Sequence, residues 1–566
     1  MSSFTLKAPL SQPTPRAGRT RRQRHPLALA VAMLTAAIAL LPILAVIVMA
    51  FSGSGADWPH LARYVLPQAV GTTLFLLLLV ALGSGAMGVG CAWLVVAYEF
   101  PLRRTFSWAL VLPLAVPPYL AAYAFAEFFH YVGPVQGAIR ALFGFTRPGD
   151  YWFPEIRSTP GAAVVLSCVT FPYVYLTTRI VFLMQGRNIA DVARTLGAAP
   201  ARVFWRVLLP VARPAIVAGI ALVLMETVND FGAVQHLGVP TLTLSIYATW
   251  LNRGSLEGAA QIAVVMLFIV LALLTAEQWA RRKQRFHAAR ASQMKARPPR
   301  IALKGWRAGT AFTAVLLPIL AGFGIPLAIF GRYALNRLEQ FSRPALVEAL
   351  ATSLVTALAT AALAVAVALV LLYAARLVRT RRMMLLVRFA TIGYAMPGTI
   401  LALGLLISLA RFDNFVDGLA RTHLGFSTGL LLTGSAAAVV MACTIRFLAL
   451  AEGAVQSGLE KLPPNLDEAA RSLGRSAPAS AATVLLPLLR PAILTAGILV
   501  FVDTVKELSA TILLRPFGFN TLATHVYEQA SRGAAEDGAV AALLIIATAI
   551  VPVILLSRPL MRDRDA

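Results

Sequence analysis

Long apolar stretches alternate with short polar gaps along the whole chain. About twelve reach the length of a membrane span: 27–51, 70–98, 105–129, 160–184, 214–235, 258–278, 308–331, 347–375, 384–410, 428–454, 491–513 and 538–557. A helix needs roughly 20 predominantly apolar residues to cross the hydrocarbon core. The pattern therefore predicts an all-α polytopic membrane protein with about twelve transmembrane helices. Pro and Gly inside several stretches fit helices in a bundle, where neighbours satisfy the freed backbone groups. The stretch 105–129 is the most interrupted, and its ends are the least sharply set. The first stretch is too long for the apolar region of a signal peptide and no convincing cleavage site follows, so it is read as the first span.

Composition agrees: 58% of the residues are hydrophobic, 13% are charged, and the mean hydropathy is +0.74. A net charge of +25 would suit nucleic acid, but the basic residues sit in the gaps between spans. They cluster at Arg16, Arg19, Arg21, Arg22 and Arg24, and at 103–104, 187–213, 281–307, 376–388, 471–490 and 558–564. With twelve spans these gaps all fall on one side, and the intervening gaps are poorer in Lys and Arg. By the positive-inside rule both termini are expected in the cytoplasm of a bacterial inner membrane. Lipid, not nucleic acid, is the expected partner of the basic segments. Cys91, Cys168 and Cys443 lie in apolar stretches without metal or redox spacing and read as small core residues.

The chain also repeats itself. Asn188, Asp191, Ala193, Gly197, Pro210, Arg213 and Pro214 recur as Asn465, Glu468, Ala470, Gly474, Pro487, Arg490 and Pro491, each pair 277 positions apart. Glu226 to Ala233 align with Asp503 to Ala510 at the same offset. Thr241, Leu242 and Tyr247 match Thr521, Leu522 and Tyr527 at 280, as do Ala115 and Pro117 with Ala395 and Pro397. An even number of spans per half makes these parallel repeats, related by an axis along the membrane normal. A period this long marks a duplicated domain rather than a solenoid. The join, 279–307, is basic with Pro298 and Pro299 at its centre, and reads as a solvated linker touching lipid headgroups.

The repeated polar element has the chemistry of a surface helix–turn–helix. Asn188 and Asn465 suit helix N-caps, with Asp191 and Glu468 three residues later as in a capping box. Ala193, Ala469 and Ala470 leave a low helix surface that a partner can approach. Gly197 and Gly474 suit the left-handed residue that ends a helix. Asp191, Ala193 and Gly197, and again Glu468, Ala470 and Gly474, resemble the "EAA" loop of the permease subunits of binding-protein-dependent ABC importers. The spacing of 13 from Gly to Pro in both copies adds to the likeness. The first copy departs from the pattern, with Asp191 and Val192 where Glu and Ala are usual.

The resemblance covers nearly the whole chain as two fused permease domains of the type I importer fold, similar to the ferric-iron and thiamine permeases. The stretches 225–232, 503–517 and 520–528 favour the ferric-iron systems. It implies a basic N-terminus with the first span (1–66), a first permease domain (67–279), a basic linker (280–307), a seventh span with its outer loop (308–345) and a second permease domain (346–566). In that family the loop is a coupling helix seated on the ATPase. The expected partners are thus two copies of an ABC ATPase subunit and a periplasmic substrate-binding protein. No cofactor is expected on this chain, with ATP on the partner subunit. It has no Gly-x4-Gly-Lys-Ser/Thr loop and no His-Glu-x-x-His.

Glu226, Asp230, Asp503, Lys506 and Glu507 fall within otherwise apolar stretches. Each costs roughly 2.5–3.5 kcal/mol at a helix centre, so they should face the protein interior or water. Helical spacing places Glu226 with Asp230, and Asp503 with Glu507, on shared faces. Three readings stand open: an acidic path for a cation such as Fe(III), which prefers hard oxygen ligands; a structural cluster with Lys506 paired to a carboxylate of the facing half; or a shallow location near the outer surface. Glu127, His130, His60, His236, His423 and His525 sit near outer boundaries and show no ligand spacing. Trp58, Tyr64, Tyr151, Trp152 and Trp250 suit an interfacial belt. The expected function is ATP-driven uptake of ferric iron by alternating access. Thiamine, then phosphonate or polyamine, are the next substrates, and a proton-coupled secondary transporter is the rival class.

Overall fold

The computed structural model describes residues 26–52, 55–195, 200–282, 300–378, 380–463 and 466–561. Eleven helices there are long and apolar enough to cross a membrane, and a bent pair, Arg103–Ala115 with Pro118–Phe143, makes a twelfth. The pair turns by 96°. The cause is local: a residue before proline is pushed out of the helical region, and Val116, ahead of Pro117, is extended. In the second half Met396, ahead of Pro397, is extended in the same way, and the helix restarts at Gly398.

The fifth and eleventh spans stop short of the ends expected. Their helices end at Asn229 and Val505, and short helices Gly232–His236 and Thr511–Leu514 follow. A further helix then starts in each half, Leu242–Tyr247 and Leu522–Ser531. Both are pinned alike. Thr73 Oγ1 accepts from the Leu242 amide at 3.0 Å, and Ser353 Oγ accepts from the Leu522 amide at 2.7 Å. Each hydroxyl satisfies one of the amides that a helix start leaves without a partner. Thr73 and Ser353, like their targets, are 280 positions apart.

The halves exchange their first spans. Pro26–Ser52 packs on Arg381–Ala390, Gly398–Leu424 and Pro344–Val378 of the second half, and Trp306–Asn336 packs on Pro118–Phe129 and Thr159–Thr195 of the first. Two glycines permit the closest approaches. A Cβ on Gly404 would lie 2.2 Å from the Pro42 carbonyl oxygen, and one on Gly322 would lie 2.1 Å from that of Cys168. Beyond the linker, Ile301–Ala302 pairs with Tyr98–Glu99 as a two-residue parallel ladder, and Arg300 meets Glu99 at 3.3 Å.

Candidate functional site

The two broken helices meet at the centre of the molecule. Asp230 and Glu507 do not share a helical face with Glu226 and Asp503, because both lie beyond the helix ends. Each instead caps the short helix that follows. Asp230 Oδ1 accepts from the Ala233 amide at 2.7 Å. Glu507 accepts from the Ala510 amide at 2.8 Å, the Thr511 amide at 2.9 Å and the Thr511 hydroxyl at 2.5 Å. Arg446, from the tenth span, donates to Glu507 at 3.0 Å, and both side chains are buried. A carboxylate at a helix N-terminus meets unsatisfied amides and the positive end of the dipole. Two of the intramembrane acids thus hold the breaks in shape.

The breaks are joined across the boundary between the halves. The Gly398 amide donates to Asn229 Oδ1 at 2.7 Å, and Ser509 Oγ donates to the Asn229 carbonyl at 3.0 Å. Leu508 packs on Gly232, where a Cβ would come within 2.8 Å of its Cδ2. The Phe231 ring contacts both Tyr247 and Tyr527, at 4.6 and 5.9 Å between centroids. Tyr527 also donates to Gln235 Oε1 at 2.7 Å.

A cavity of about 90 Å³ lies against this closure, lined from both halves. Its polar lining includes Glu226, Asp230, Asp503, Lys506, Glu507 and Arg446, with the phenols of Tyr173 and Tyr394. All five residues singled out in the apolar stretches are therefore brought together. Lys506 pairs with Asp503 of its own helix at 2.7 Å, and the charge of Glu226 from the facing half also acts on it. The sequence reading missed Arg446, Asn229 and the two tyrosines. Arg446 was visible as a charge within an apolar stretch; Asn229, Tyr173 and Tyr394 carry no such signal.

The second repeated loop forms the helix Leu466–Ser472, closed by Gly474 at φ +85°. The Arg475 amide donates to the Ala470 carbonyl at 3.2 Å, the longer of the two bonds that finish a helix with a left-handed glycine. Ala470 is buried and Ala469 is exposed. Glu468 lies on this helix, and Asn465 lies outside the described residues. The chain then turns at 473–476 and runs without a break from Ala477 into Leu486–Val505, the helix that carries Asp503. In the first copy Asp191 and Ala193 lie near the end of the long helix Thr159–Thr195, and Gly197 lies outside the described residues. Asn188 is interior to that helix and is no N-cap. The helix before the second copy ends at Leu459, and the sequence there carries Pro463 and Pro464, which cannot continue a helix, whereas the first copy has no proline at that place.

Nearer the other face, Tyr333 donates to Glu127 at 2.9 Å, and the His236 ring stands 4.4 Å from that of Tyr123. Trp58, Tyr64 and Trp152 are exposed.

Two membrane-embedded repeats that close on a charged central cavity define a multi-pass transport protein. The chain belongs to the family described as the inner membrane component of binding-protein-dependent transport systems, whose model matches residues 84–283 and 372–562. It is therefore a permease of the ABC importer class. It is similar to an Fe(3+)-transport system permease protein of Haemophilus influenzae, 24% identical over 503 residues that cover 88% of this chain and 91% of the relative. A probable sulfate transport system permease protein of Nephroselmis olivacea is 32% identical over 224 residues, 38% of this chain and 73% of the relative. A molybdenum transport system permease protein of Escherichia coli is 28% identical over 229 residues, 39% of this chain and 96% of the relative.

Proposed function

We propose that this permease moves ferric iron, and that the path runs through the central cavity. The observation that carries this is the sign of the lining. Glu226, Asp230, Asp503 and Glu507 face Lys506 and Arg446, so with all six ionised the cavity has a net negative charge. Such a cavity attracts a cation and repels sulfate or molybdate. Carboxylate and phenol oxygens suit a hard ion. The long match to an Fe(3+) permease supports the same choice.

In this reading both termini and both repeated loops face the cytoplasm. Two copies of an ABC ATPase seat on the loop that carries Asp191, Ala193 and Gly197 and on the loop that carries Glu468, Ala469 and Gly474, with Ala470 buried beneath the second. A periplasmic binding protein delivers the cargo to the opposite face. Closure of the ATPase pair moves both loops, and the stretch from Ala481 to Val505 passes the movement to the helix break. This is alternating access about the axis that relates the repeats.

The test is uptake of radiolabelled Fe(III) in cells with and without the chain, with thiamine, sulfate and molybdate in parallel. Iron uptake lost on deletion supports the reading. Loss of sulfate, molybdate or thiamine uptake with iron unchanged overturns the substrate. Uptake that persists without an ATPase subunit overturns the ATP-driven mechanism.

A further inference from the structure

We propose that Lys506 is a built-in counter-ion: its ammonium occupies the acidic cavity when cargo is absent and yields to a multivalent cation. This rests on the reading of the cavity as a cation path. Lys506 is the equivalent of Asn229, 277 positions earlier. Asn229 is held in place, because its side-chain oxygen accepts from the Gly398 amide at 2.7 Å. The equivalent of Gly398 in the first half is Pro118, at an offset of 280, which has no amide hydrogen to give. The side chain at 506 therefore lacks that anchor. A lysine stands there, and its ammonium turns back along its own helix to Asp503 at 2.7 Å.

The other charges of the cavity are already committed. Asp230 and Glu507 cap helices, and Arg446 is bound to Glu507. Asp503 and Glu226 remain as the carboxylates available to cargo, and Lys506 is the cation placed to hold them when the cavity is empty. It sits on a flexible four-carbon stem. At equal distance and dielectric a trivalent ion is attracted about three times as strongly as an ammonium. A monovalent ion offers no electrostatic gain over the ammonium it would replace. The lysine thus raises the charge that a cation needs for entry, a selection that a cavity of carboxylates alone does not make.

The experiment uses the assembled transporter in proteoliposomes, comparing wild type with Lys506→Gln, Lys506→Arg, Asp503→Asn, Glu226→Gln and the double variant Lys506→Gln/Asp503→Asn. Efflux of trapped radiolabelled rubidium is followed without ATP, and ATP-driven Fe(III) uptake is followed against rising potassium. Lys506→Gln is expected to raise rubidium efflux, or the sensitivity of iron uptake to potassium, by about ten-fold, the occupancy change that ~1.4 kcal/mol of added attraction produces. Lys506→Arg, which keeps the charge, should show a smaller monovalent effect than Lys506→Gln. The double variant, which removes both charges together, should lose the added monovalent effect.

If neither monovalent readout changes in Lys506→Gln, while Asp503→Asn and Glu226→Gln lose iron uptake, the counter-ion is overturned and the path stands. If Asp503→Asn and Glu226→Gln both take up iron normally, the path reading falls and the counter-ion with it.

Discussion

Ser509 donates its hydroxyl to the main-chain carbonyl of Asn229 at 3.0 Å, across the boundary between the halves. By the 277-residue register, Ser509 is the equivalent of Gly232, and Asn229 is the equivalent of Lys506. The bond therefore ties the helix break of one repeat to that of the other, and the same Asn229 accepts from Gly398. Separation of the halves at this level must break both bonds.

Gly398→Ala should weaken this closure. A Cβ there would lie 2.6 Å from Arg446 Nη1, 2.9 Å from Ser509 Cβ and 3.1 Å from the Ala510 amide nitrogen. Overpacking of this kind costs about 1–3 kcal/mol. The expected result is a lower melting temperature of the purified protein in detergent. An unchanged Tm would show that Arg446 and Ser509 move aside freely.

Arg446→Met should be among the most damaging single changes in the cavity. It leaves Glu507 buried without its partner, which costs about 3–5 kcal/mol. Arg446→Met with Glu507→Gln should be milder than Arg446→Met alone, because no unpaired charge remains. Thermal unfolding of the two single variants and the double variant measures the coupling, and additive effects would refute it.

Thr73→Ala and Ser353→Ala should act as twins. Each removes one hydroxyl from the start of an equivalent helix, for a loss of about 1 kcal/mol. Hydrogen exchange at the Leu242 and Leu522 amides should rise in the matching variant only. Exchange that rises at both amides in either variant would mean that the two pins act as one unit.

Gly474→Asp should separate ATP hydrolysis from uptake. Gly474 adopts φ +85°, a conformation that residues with a Cβ adopt at a cost of about 1–2 kcal/mol. Distortion of the turn after Leu466–Ser472 should lower transport per ATP hydrolysed while the chain still inserts. Gly474→Asn, better tolerated there, should retain more activity. Normal coupling in Gly474→Asp would remove this loop from the coupling path.

The loop around Asp150 should loosen in acid. Its carboxyl is held below the usual range by the Arg147 amide and then the Thr146 amide, both donating at 2.8 Å. A depressed folded pKa means that the ionised form is the one favoured by folding. The contribution is present above the ordinary carboxylate pKa and is lost as pH falls through the folded value. Amide exchange at Thr146 and Arg147, corrected for intrinsic rates, should rise as the pH drops below 4, and Asp150→Asn should abolish that dependence.

The number of spans was legible because run length alone sets it, and the repeat because its register is fixed over many positions. The bend at Val116 was present in the sequence as Pro117 and Pro118. The ends of the fifth and eleventh helices were not, since the apolar character continues past Asn229 and Val505. Once those ends are misplaced, Asp230 and Glu507 read as members of a helical face, whereas they cap the next helices. Arg446 was overlooked because its meaning depends on Glu507, 61 positions away. The two loops looked equivalent by spacing, yet the prolines at 463 and 464 give them different starts.

The covalent joining of the two repeats has a consequence for how such a cavity can change over generations. In a transporter assembled from two copies of one gene product, every substitution in the lining appears twice, and a lysine gained on one side is gained on the other. Here Asn229 faces Gly398 while Lys506 has Pro118 as the equivalent neighbour. One linked pair of positions has been free to drift apart from the other. Odd charges in a central chamber, such as Lys506 opposite Asn229, are open to a lineage in which both walls are inherited on one chain and varied separately.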